Sequence, residues 1–116
     1  MKLILTVFIV LLSFNVLAQD AAKTEFDKVC ADKPTSTECV ELGTKAFAKK
    51  DCYKVKLNLA KACEGNIASA CHMAGLCGIF SDKSSEEYKT AKAQLTKACD
   101  TLKFKFACDD VKKFVK

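Results

Sequence analysis

Arginine is absent from a chain that carries 19 lysines. Nucleic-acid recognition relies on arginine forks against phosphates and base edges, so no nucleic-acid partner is expected. Proline occurs once, at Pro34, and glycine four times. With so few breakers, and no stretch that alternates apolar and polar residues, the expectation is helix nearly throughout. Histidine occurs once, at His72, and there is neither a Cys-x-x-Cys nor a His-x-x-x-His pair. A structural zinc site needs four ligands at such spacings, so neither a metal nor any other cofactor is expected.

Long apolar runs are also scarce, and the one exception is at the start. "MKLILTVFIVLLSFNVLA" has one lysine, a run from Leu3 to Leu12 that is apolar except for Thr6, and the small residue Ala18 before the chain turns polar. That is the layout of a secretory signal peptide over residues 1–18. A membrane helix needs about 20 apolar residues, whereas this run is interrupted by Ser13 and Asn15. Cleavage after Ala18 yields a single domain over residues 19–116, secreted or periplasmic, with no integral membrane span and no cysteine at the cleavage point for lipid attachment. It carries 18 lysines against 14 acidic residues, a formal net of +4. Lysines spaced along helices make a solvated face, and the balance leaves open attraction to lipid headgroups or an acidic partner.

All eight cysteines lie in the mature part. An even number in a short exported chain reads as a disulfide framework, and cross-links supply stability that so small a core does not.

Residues 21–31 form a first helix with Ala22, Phe26, Val29 and Cys30 on one face. Pro34 ends it, and Thr35 with Glu38 fits a capping box for a second helix from about Ser36 to Lys49. Asp51 caps a third, 52–63, which leaves through Gly65, the residue type that tolerates a left-handed exit. A fourth covers 67–80. Ser84 and Glu87 fit a second capping box for a fifth helix with Tyr88, Ala91, Leu95, Ala98 and Cys99 on one face, and a short last helix, 107–115, presents Val111, Phe114 and Val115.

The chain also echoes itself. "LAKAC" at 59–63 matches "LTKAC" at 95–99 with an offset of 36, and "CVELG" at 39–43 matches "CHMAG" at 71–75 with an offset of 32. Three times a helix ends in cysteine, a turn follows, and the next helix begins with cysteine. A two-helix period in this range is the signature of an α-solenoid. The expected fold is therefore all-α: a lead-in helix, two helical hairpins and a closing helix.

The pattern Lys-Ala-Cys, a seven-residue gap, Cys, and then Gly four residues on resembles the Sel1-like repeat, a TPR-like motif, in the cysteine-rich secreted branch known from the Helicobacter cysteine-rich proteins. The resemblance covers residues 30–108. It implies that each disulfide joins the end of one repeat to the start of the next, pairing Cys63 with Cys71, Cys99 with Cys108 and Cys30 with Cys39. Where the family places a leucine and an aromatic residue after "CxxxG", this chain reads "TKAFAKK" and "LCGIFS". Cys52 and Cys77 are left over. Exclusion pairs them, and helix geometry puts them about 7 Å apart in level, near the limit for a disulfide; the alternative is two buried thiols.

For function, two-helix solenoids present the first helices of their repeats to a peptide or partner helix. On helix two that face carries Glu41, Thr44, Lys45 and Ala48, and on helix four Met73, Leu76, Cys77 and Phe80. The Met, Leu and Phe stripe either meets a partner or packs under the last helix. The leading expectation is an exported, monomeric scaffold for a protein or peptide. The resemblance implies two alternatives, β-lactam binding or hydrolysis, and a periplasmic immunity or antagonist role. For serine hydrolysis the residues offer no Ser-x-x-Lys, Ser-Asp-Asn or Lys-Thr-Gly motif, and His72 has no evident acid partner in the sequence.

Overall fold

A computed structural model of the chain describes residues 24–115; the expected signal peptide and Ala22 lie outside them. The described residues are all-helical: α1 Glu25–Asp32, α2 Thr37–Ala48, α3 Cys52–Glu64, α4 Ala68–Gly78, α5 Glu86–Thr96 and α6 Lys105–Phe114, with a π-helical turn at Lys97–Thr101 continuing α5. None is long and apolar enough to cross a membrane.

Four helices start on a side-chain cap. Thr24 forms a reciprocal capping box with Asp27, and Asp51 accepts from the Lys54 amide as expected. At α2 and α5 the caps are Ser36 and Ser85, which accept from the amides of Cys39 and Tyr88, not Thr35 and Ser84. Both displacements have one cause. The Ser36 amide donates to Lys33 O at 3.1 Å and the Ser85 amide to Asp82 O at 2.9 Å, which commits Thr35 and Ser84 to the third position of a tight turn. Ser84 instead donates, through its amide and hydroxyl, to the Asp82 carboxylate, which lowers that carboxyl's pKa.

The α3 exit also differs from the expectation. Gly65 has φ −80°, and the left-handed residue is Asn66 at φ 68°, which asparagine tolerates better than most side chains. Gly65 is needed for space: a Cβ there would collide with Thr35 Cγ2. Lys103, at φ 56°, makes the matching turn before α6.

The buried face of α3 recurs on α5. Val55, Leu59 and Ala62 are fully buried, and so are their counterparts 36 residues on, Ala91, Leu95 and Ala98. Gly43 of α2 admits Leu59, and Gly75 of α4 admits Leu95, at distances that leave no room for a Cβ. The core follows the row of helices: Phe26, Cys30, Cys39, Val55, Leu59 and Met73 at one end, and Ile79, Tyr88, Ala91 and Leu95 at the other.

All eight cysteines are paired. Cys30–Cys39, Cys63–Cys71 and Cys99–Cys108 each join the end of one helix to the start of the next, with Cα separations of 5.0, 4.5 and 4.6 Å. Cys52 and Cys77 are bonded across the far end of the α3–α4 hairpin, at 5.3 Å. That hairpin is therefore closed covalently at both ends. The link from Cys99 to Cys108 is one residue longer than that from Cys63 to Cys71. The π-turn absorbs the extra residue, with the Leu102 amide bonding Lys97 O, as single-turn π insertions commonly do.

Candidate functional site

A groove of about 540 Å³ opens between α1 and α3. Asp27, Lys28, Cys30 and Ala31 form one wall, and Leu57, Asn58 and Lys61 the other. The i, i+4 spacing places Lys61 and Tyr53 one turn either side of Leu57. Leu57 is 59% exposed and Tyr53 74% exposed.

One end of the groove is fixed by a polar network. Lys54 Nζ donates to Asp27 Oδ2 at 2.8 Å and Asn58 Nδ2 to Asp27 Oδ1 at 2.8 Å, while the Thr24 amide and hydroxyl also donate to Oδ2. The Lys54 ammonium, the Asn58 amide and the Thr24 donors together hold the Asp27 carboxyl well below the usual carboxylate range. Asn58 is buried and gives its second proton to Lys54 O at 3.0 Å. Among the described residues no buried side-chain polar atom lacks a partner, so the network ties α1 to α3 without stranding a charge.

A second groove, of about 280 Å³, lies between α3 and α5, lined by Ala60, Cys63, Glu64, Ala93, Gln94 and Lys97 among others. Six of its seven lining residues, all but Thr90, correspond to lining residues of the first groove displaced by 33 residues on one wall and 36 on the other. Ala93 stands for Leu57, Gln94 for Asn58, Ala60 for Asp27 and Lys97 for Lys61. Lys97 Nζ donates to Cys63 O at 2.8 Å, capping the end of α3.

The face expected from the sequence divides. Glu41, Thr44 and Lys45 are exposed on α2, and Phe80 is 73% exposed after α4. Met73 is 7% exposed and lies in the core with Phe26 and Leu59. Leu76 is half-buried and packs against the same cluster, Ile79, Tyr88, Ala91 and Leu95, that Val111 and Phe114 of α6 pack against, so Leu76→Asp would disturb the fold. Cys77 is spent on its disulfide, and Phe80 leans edge-on against Phe114 with ring centroids 5.0 Å apart.

His72 does have an acid partner. Its Nε2 lies 2.5 Å from Asp110 Oδ2, and its ring packs edge-on against Phe104 at 5.4 Å. The two residues are 38 apart in the chain, and only the packing of α6 on the start of α4 unites them. Among the described residues there is no cysteine outside a disulfide and no cluster of three potential metal ligands. Compared with models of known protein families, with curated proteins and with solved structures, the chain has no significant match.

Proposed function

We propose that this chain is an exported helical-repeat scaffold of Sel1-like type, cross-linked by its four disulfides, that binds a protein or peptide partner through the α1–α3 groove. The observation that carries the reading is Leu57: a large apolar side chain, mostly exposed, on a helix whose two ends are covalently fixed. An apolar anchor held rigidly costs little conformational entropy when a partner covers it. The repeat assignment is supported by the recurrence of three features at matching offsets: the buried face of α3, the glycine–leucine contact and the groove itself. Export is supported by the apolar leader in the sequence and by the disulfides, which persist in oxidising compartments.

The reading is tested by affinity capture from the exported fraction of the cells that make the protein, using oxidised wild type, Leu57→Asp and Phe80→Asp as baits. A specific partner should be kept by Phe80→Asp and lost by Leu57→Asp, with the disulfides and helix content of both variants intact. Retention by Leu57→Asp removes the groove as the site.

A further inference from the structure

We infer that the occupant of the α1–α3 groove is an acidic segment of a partner protein, which places an apolar side chain against Leu57 and carboxylates against Lys28 and Lys61. The inference rests on the scaffold reading and adds the chemistry of the partner.

The charge around Leu57 is unbalanced. Of the ionisable side chains lining the groove, Asp27 is neutralised by its 2.8 Å ion pair with Lys54. Lys28 and Lys61 remain, both exposed, and among the described residues neither is paired with a carboxylate. The apolar residues lining the groove with them are Leu57, Ala31 and Cys30. Cations beside an apolar lining complement an apolar anchor with carboxylates beside it.

The second groove provides an internal control. It has the same construction, yet alanine replaces the leucine, Glu64 replaces Ala31, and Lys97 is consumed by the Cys63 carbonyl. Only the first groove combines an exposed apolar anchor with two uncommitted cations. Nothing in the packing of α1 on α3 requires this, because the Asp27 network and the buried face of α3 already hold the two helices together.

The test is a titration of the full oxidised mature chain, isotope-labelled for amide NMR, with random dodecapeptide pools. One pool fixes a central leucine with glutamates one turn to either side; a second replaces those glutamates with lysine, and a third replaces the leucine with alanine. The first pool should shift Lys28, Ala31, Leu57 and Lys61, and bind about tenfold more tightly than either of the others. That affinity should fall as salt is raised. Lys28→Glu and Lys61→Glu should each weaken it about tenfold, whereas Lys105→Glu, the same charge change on α6, should not. Equal or tighter binding of the lysine pool at the groove overturns the acidic partner and leaves the scaffold reading standing. Shifts confined to other surfaces, or no shift with any pool, overturn the groove as the site of an acidic segment. The proposed function is judged separately: capture of no specific partner by wild type overturns the scaffold reading, and retention of a captured partner by Leu57→Asp overturns only the groove as its site.

Discussion

A Cβ placed on Gly75 would lie 2.6 Å from Cγ of Leu95 and 3.1 Å from the Ala91 carbonyl oxygen. The two helices meet backbone to side chain, and only glycine leaves room. The same contact exists between Gly43 and Leu59, where a Cβ would meet both methyls of the leucine at 2.7 Å.

Gly75→Ala should therefore destabilise the protein although alanine is the better helix former. Overpacking a filled core costs about 1–3 kcal/mol, against about 1 kcal/mol gained from helix propensity. Thermal unfolding of the oxidised protein should show a lower midpoint for Gly75→Ala. Gly43→Ala should also lower it, because the Cγ and both methyls of the fully buried Leu59 lie within 2.9 Å of the added carbon.

Asp27 gives the acid dependence. Its carboxyl is held below the ordinary range by Lys54, Asn58 and Thr24, so in the acid range the folded chain binds fewer protons than the unfolded one. The stability this supplies is fully present above the unfolded pKa of about 4, and is lost as pH falls through the folded value. Urea unfolding should find Asp27→Asn less stable than wild type at neutral pH, with the gap narrowing progressively below about pH 4.

Cys52 and Cys77 are half-buried, so replacing both by serine removes a cross-link with little loss of packing. Their sequence separation is 25, and the chain-entropy model puts the loss at about 3.5 kcal/mol. Urea midpoints of the double variant and wild type, both oxidised, measure it. Intact mass of exported wild type should begin at Gln19 and gain eight hydrogens on reduction; a gain of six would mean that one pair is open.

Asp110→Ala should loosen α6. Removing a partly buried partner from His72 costs about 1–2 kcal/mol, so amides of α6 should exchange roughly tenfold faster, while those of α1 to α3 stay unchanged. A slowing, or an equal change along the whole chain, would show that the pair does not act locally.

Much of the helical layout was legible in the sequence, because it rests on local signals: apolar spacing, the break at Pro34, the Asp51 cap. The caps at Ser36 and Ser85 are not visible in the capping pattern alone, because two hydroxyl residues stand side by side at each start and the preceding turn decides between them. The site was less legible. Leu57 belongs to an ordinary-looking helical stretch, and its exposure depends on how far α1 covers α3, a tertiary fact. His72 and Asp110 carry no shared motif. The Leu57 to Ala93 substitution between otherwise matching segments was the one available signal, and it appears only when the repeats are aligned beyond their cysteines.

The central claim, that the cysteines hold the frame and the α1–α3 groove does the binding, is tested most directly by mapping the captured partner's footprint on the oxidised protein by hydrogen exchange. The prediction is added protection over α1 and the stretch of α3 from Tyr53 to Lys61. Protection instead over Glu41, Thr44, Lys45 and Phe80, with α1 and α3 unchanged, would contradict it.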